Sequence, residues 1–161
     1  MLRVVFVCLG NICRSPTAEA VFRHKAQEAM LTLRIDSAGT AGYHIGARPD
    51  KRSMAVAQGR GYHFDGISCR KVADDDLILA DLIIAMDNAN LRSLLQRCPE
   101  EHQDKVKLFM EFADSEFTEV PDPYYGGIKG FELVLDLIEQ ASDGLVEHCL
   151  VLSKERSDML A

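Results

Sequence analysis

No apolar stretch in the 161-residue chain is long enough to cross a bilayer. Met1–Cys8 is too short to hold the apolar core and cleavage site of a signal peptide. Internal repeats and low-complexity tracts are missing. Positive charge is scarce: 18 Lys and Arg stand against 25 Asp and Glu, a formal net charge of −7. That balance argues against a nucleic-acid partner, which would be repelled overall, but leaves room for a local site that holds one phosphate. The five cysteines, Cys8, Cys13, Cys69, Cys98 and Cys149, are odd in number and lack the C-x2-C spacing of a structural zinc site. With no secretory segment, reduced thiols in a cytoplasm are the simplest reading, and no membrane partner is expected. The 47% of hydrophobic residues suffices for a full core in one domain, residues 1–161, without disulfides or metal.

Strand and helix signals alternate along the chain. Leu2–Val7 is a short Val-rich run that reads as a buried parallel strand. A loop over Cys8–Ser15 follows, and Pro16 marks a first helical turn. Helical spacing then continues through Phe22, Ala26, Ala29 and Met30. Leu33–Asp36, Leu82–Met86 and Val106–Phe109 read as further strands, with helices over Lys51–Gln58 and Asn88–Arg97. Ser37–Asp50 and Glu119–Gly127 read as loops. From Ile128 onward, Phe131, Val134, Leu135 and Ile138 form the apolar face of a last helix. The alternation implies an α/β sandwich around a mostly parallel sheet.

The loop Cys8-Leu9-Gly10-Asn11-Ile12-Cys13-Arg14-Ser15 places five residues between a Cys and an Arg. A loop that leaves a strand and enters a helix N-terminus turns several backbone N–H groups inward, and such a nest binds an oxyanion. Gly10 and Asn11 supply the backbone freedom that tight wrapping needs. Arg14 adds a planar fork for two phosphate oxygens. Comparable settings lower a thiol pKa from about 8.5 to roughly 3.5–7.5, so Cys8 is the candidate nucleophile. Ser15 is placed to donate its hydroxyl to the Cys8 sulfur. The plainer reading of a lone Cys is a small core residue, but the preceding strand and the helix entry favour catalysis. No Gly-Lys-Ser/Thr follows, which excludes a Walker A loop. Attack on phosphorus calls for an acid to protonate the leaving group, and Asp122 is the candidate. On the residues alone, an Asx-type turn at Asp122-Pro123 accounts for it as well.

VCLGNICRSPTAEA (7–20), DSAGT (36–40), Ala85-Met86-Asp87 and DPYYGG (122–127) together resemble the low-molecular-weight protein tyrosine phosphatases, from near residue 2 to about residue 140. The resemblance implies a four-stranded parallel sheet flanked by helices, a flavodoxin-like three-layer sandwich. It implies phosphotyrosine protein substrates, no cofactor, no metal, and a monomer or weak homodimer. It assigns Cys8 as nucleophile, Arg14 as phosphate ligand and Asp122 as acid and then base, with residues 8–15 as the phosphate loop. Ser37 takes the position that orients Asn11. Leu9, Ile12, Tyr43, Tyr124 and Tyr125 line the substrate cleft. Cys13 becomes a partner for a reversible disulfide with Cys8, against the plainer reading of a small filler. Ile67 stands where many relatives carry His, and no role passes to His63. Cys98 and Cys149 are expected at helix ends. Two rivals share the loop: arsenate reductases, which need additional relay cysteines, and protein arginine phosphatases, which typically carry Thr at the position of Ile12. A non-catalytic phosphotyrosine-binding module would need neither Cys8 nor Asp122.

Overall fold

Residues 1–123 and 127–160 are described by a computed structural model of the chain. Four strands, β1 (Leu2–Cys8), β2 (Leu33–Gly39), β3 (Leu82–Ala85) and β4 (Val106–Leu108), form one sheet in the order β2-β1-β3-β4, and every pairing is parallel. This is the flavodoxin-like arrangement. The central strand β1 has neighbours on both sides and helices on both faces, which is why it reads as an unbroken apolar run. Its side chains nevertheless sort by parity. Leu2, Val4, Phe6 and Cys8 enter one core with Ile84 and Met86, whereas Val5 and Val7 enter a second core with Ile83 and Ala85.

The first core is covered by α1 (Arg14–Glu28), α2 (Lys51–Gly59) and the 34-residue α5 (Gly127–Leu160), through Phe22, Ala57, Leu135 and Ile138. The second lies under α3 (Asp74–Leu79) and α4 (Asn88–Arg97), through Leu77 and Leu94. Two 3-10 helices, Glu100–Lys105 and Phe109–Phe112, flank β4. Long as α5 is, no helix among the described residues is long and apolar enough to cross a membrane.

Several boundaries differ from the sequence reading. Helix α1 stops at Glu28, and Met30 is 91% exposed with φ at +56° rather than on the buried face. The Leu31 N–H closes on the Ala26 carbonyl, so the chain reverses there to enter β2. Strand β2 runs three residues beyond the expected Asp36, because Ser37, Ala38 and Gly39 pair with Phe6, Val7 and Cys8. Helix α3 carried no signal: it has six residues and opens on three aspartates. Cys98 does cap α4, but Cys149 lies within α5, buried, where desolvation pushes its thiol up to about 12.

Gly144 in α5 marks the closest approach of two backbones. A Cβ there would fall on the Phe112 carbonyl, with the Phe112 carbonyl carbon only 2.8 Å away. Alanine gains about 1 kcal/mol over glycine in helix propensity. The obstacle is backbone, which cannot swing aside, so overpacking wins. We expect Gly144→Ala to be destabilising by about 1–3 kcal/mol. A urea midpoint equal to or above that of the parent chain would contradict this packing.

Candidate active site

The direction of chain winding reverses between β1 and β3, and the crevice beyond the carboxyl ends of such strands is where ligands bind in doubly wound sheets. Cys8 ends β1, and Asp87 follows β3 after Met86. Between them and the helix α1 lies a cleft of about 370 Å³, lined by Cys8, Leu9, Gly10, Ile12, Cys13 and Arg14 of the loop, and by Tyr43, His44 and Asp122 from elsewhere.

The loop is held from behind. Asn11 is fully buried and adopts φ +54°, in the left-handed region that Asn tolerates. Its Oδ1 accepts the Arg70 backbone N–H at 2.9 Å, and its Nδ2 donates to Ser15 Oγ at 2.9 Å. With Asn11 donating inward, the Ser15 proton is left for Cys8 Sγ at 3.0 Å or the Ala38 carbonyl at 3.4 Å. The shorter contact is to the sulfur. Gly39 must be glycine here, because a Cβ would come within 2.8 Å of the Leu9 carbonyl and 3.0 Å of the Asn11 nitrogen. Helix α1 begins without a side-chain cap. Its first N–H groups therefore lack the partner that Asp50 gives α2 and Asp87 gives α4.

Arg14 is 3% exposed. Its Nη1 donates to Asp87 Oδ2 at 2.7 Å and to the Val120 carbonyl at 3.0 Å, and its Nη2 lies 3.9 Å from Asp122 Oδ2. Burial works against its charge, but Cys8, Asp87 and Asp122 outweigh the burial and hold its pKa above the ordinary value. Asp122 itself is about half exposed at the cleft wall. Cys13 is buried, and desolvation pushes its thiol up to about 12. The Ser53 hydrogen bond opposes that rise, while Asp50, Cys8 and Asp122 add to it. At neutral pH Cys13 is therefore a neutral thiol.

The chain is matched over residues 3–157 by the family model of the low molecular weight phosphotyrosine protein phosphatases. It belongs to that family. A low molecular weight phosphotyrosine protein phosphatase of Schizosaccharomyces pombe is 46% identical over 134 residues, 81% of this chain and 85% of the relative. A crystal structure of a protein tyrosine phosphatase from Entamoeba histolytica, with Hepes in its active site, superposes with a TM-score of 0.90 at 44% identity, covering 97% of this chain and 99% of that one. The Drosophila arginine phosphatase superposes with a TM-score of 0.84 at 29% identity, covering 91% and 97%.

Within this phosphatase the expected site residues fall in three places. Cys8, Leu9, Gly10, Ile12, Cys13, Arg14, Tyr43 and Asp122 line the cleft. Asn11 and Ser15 lie buried behind it, Asn11 donating to Ser15 and Ser15 in contact with Cys8 Sγ. Tyr124 and Tyr125 lie outside the described residues. Ser37 departs from expectation. Its hydroxyl donates to Glu19 Oε1 at 2.6 Å, and Asn11 is oriented by Arg70 and Ser15 instead. The buried Glu19 carboxylate offers Ser37 a stronger, charged acceptor. Sequence reasoning assigned no role to Asp87 or His44. Asp87 had a signal, an acidic residue between a strand end and a helix start. His44 had none, because its place depends on how the 40–50 loop folds over Gly10, whose Cβ position lies 3.1 Å from the His44 ring.

Proposed function

We propose that the chain hydrolyses protein phosphotyrosine and small aryl phosphates through a phosphocysteine on Cys8, as one domain spanning residues 1–161. The observation that carries this reading is the convergence of Cys8, Arg14 and Asp122 on one cleft, with Arg14 braced by Asp87 and the sulfur contacted by Ser15. Asp87 and Val120 occupy Nη1 of Arg14, so its Nε and Nη2 remain for two equatorial phosphoryl oxygens. The loop N–H groups take the third.

In the first step the Cys8 thiolate forms a bond to phosphorus while the bond to the phenolic oxygen breaks. The Asp122 carboxylic acid passes its proton to that oxygen. In the second step the Asp122 carboxylate removes a proton from water as the water oxygen attacks phosphorus. The S–P bond breaks, and its electron pair returns to sulfur. Negative charge stays on the equatorial oxygens throughout, where Arg14 and the loop are already oriented for it.

Leu9, Ile12 and Tyr43 give the cleft an apolar wall suited to an aryl ring. Tyr43 supplies its aromatic side in this reading. Ile12 stands where arginine phosphatases typically carry Thr, which favours tyrosine. No group of three or more His, Cys, Asp and Glu residues among the described ones is placed to hold a metal, and the mechanism as drawn uses none. We place the enzyme in the cytoplasm, acting on phosphoproteins as a monomer or weak homodimer. The deciding experiment is turnover of p-nitrophenyl phosphate with EDTA present, then phosphotyrosine and phosphoarginine peptides side by side. Preference for the arginine peptide would overturn the assignment.

Cys13 has a second use in this reading. Peroxide oxidises the Cys8 thiolate to a sulfenic acid with release of hydroxide, and the Cys13 thiol then condenses with it to give a disulfide and water. Mass spectrometry after mild peroxide should find the Cys8–Cys13 link and recovery of activity with dithiothreitol. Finding only sulfinic and sulfonic Cys8 would refute the protective role.

A further inference from the structure

A second cleft, of about 200 Å³, opens on the α3/α4 side of the sheet between Arg3, Val5, Arg34, Asp36, Arg70 and Asp76. The parallel register sets Arg3 of β1 directly beside Arg34 of β2, and Val5 beside Asp36. Register partners in a parallel pair project to the same face, so both arginine side chains line this one cleft. Like charges placed this way repel. Among the described residues neither guanidinium makes a hydrogen bond or ion pair, although Arg3 contributes at longer range to the field on Asp76.

The carboxylates that might have compensated them are taken. Arg70 Nη1 and Nη2 hold both oxygens of Asp76 at 2.8 and 3.0 Å, and Nη2 holds Asp36 at 2.9 Å. Backbone donors use further acceptor sites on both carboxylates. Asp36 Oδ1 accepts the Ser37 N–H, and Asp76 Oδ2 accepts the Ala73 N–H. The shielded Nε–H of Arg70 still has no acceptor among the described residues. In a chain of net charge −7, one small cleft thus gathers three arginines and an orphaned donor against two carboxylates, both already bonded to Arg70.

We infer that this cleft is an anion site for a tetrahedral phosphoryl group, held between the Arg3 and Arg34 guanidiniums. Planar forks in pairs match such an oxyanion, and a dianion removes the repulsion that the register imposes. The site is wired to the candidate active site through one residue. The Arg70 backbone N–H holds Asn11, the Arg70 carbonyl accepts the Gly39 N–H at 2.9 Å, and Asn11 leads through Ser15 to the Cys8 sulfur. Filling the cleft therefore biases the loop. This coupling rests on the function proposed above, whereas the binding does not.

The full chain titrated with inorganic phosphate and followed by 1H–15N spectra should show two saturating processes. One is read at the loop amides, the other at the amides of Arg3, Arg34 and Asp36 and at the Arg3 and Arg34 Nε–H signals. The Arg3→Ala/Arg34→Ala double variant should weaken the second by about tenfold or more and leave the first in place. A parallel titration with glycerol 2-phosphate identifies the source of the phosphoryl group: equal or tighter binding at the strand site points to phosphomonoesters, weaker binding to free phosphate. Phosphate inhibition of turnover should be mixed in the parent and purely competitive in the double variant. Strand-site shifts that fail to saturate, or that chloride reproduces, mean an adventitious ion only and end the proposal. Saturable strand-site binding with purely competitive inhibition in both proteins removes the coupling. Strand-site binding without any response at the loop would instead defeat the active-site reading and leave this cleft standing.

Discussion

Cys8→Ser should leave the fold and phosphate affinity in place and lower turnover of p-nitrophenyl phosphate on the order of 10⁴-fold or more, the scale of losing a covalent nucleophile. The change is nearly isosteric, and the side chain is 3% exposed at the end of a fully paired strand, so the loop has no reason to collapse. What the proposed mechanism loses is its attacking sulfur. A serine hydroxyl is far less acidic than a thiol, and its neighbour Ser15, 3.0 Å from Cys8 Sγ, cannot act as a base. Neutral Cys13, raised to about 12, offers no substitute. The variant should therefore hold phosphotyrosine peptides without releasing phosphate, and isolate substrates. Turnover at the parental rate would dispose of Cys8 as the nucleophile. Ordinary sluggish alkylation of the parental thiol at pH 6 would do so equally.

For Asp122→Ala the expected loss is about 10²–10⁴-fold on aryl phosphates with poor leaving groups, the usual span for a general acid. The loss should shrink as the leaving group becomes more acidic, because a stable phenolate needs no proton. Asp122 is also 3.9 Å from Arg14 Nη2 and sustains part of that residue's raised pKa, so its removal alters the field at phosphate as well. The two roles separate in the measurement. Lost proton donation changes the dependence on leaving-group acidity, whereas a lost electrostatic contact weakens phosphate and vanadate binding equally for all substrates. A uniform loss across leaving groups would remove Asp122 as the acid.

The sheet was legible in the sequence because its central strand buries both faces and its helices alternate with it. Leu2–Val7, Asn88–Arg97 and the apolar face from Phe131 to Ile138 announced themselves through period and punctuation. The loop over residues 8–15 was legible as a strand-to-helix turn for a related reason: its residues are contiguous. Cys8, Arg14 and Ser15 are fixed relative to one another by one strand end and one helix start. Short elements were not legible. Helix α3, with three leading aspartates, takes its shape from Arg70 pairing with Asp76 and from Leu77 in the second core.

Residue order by itself pointed to the groups proposed to carry the chemistry and placed them between a strand end and a helix N-terminus, since local geometry follows from neighbours in the chain. Only the tertiary structure decided what stands behind them. Asp87 bracing Arg14, Arg70 holding Asn11, Glu19 claiming Ser37 and Arg3 meeting Arg34 all join residues far apart in the chain or on different elements. Those partnerships are set by strand order and register, which depend on how two cores pack against one sheet and not on any local pattern.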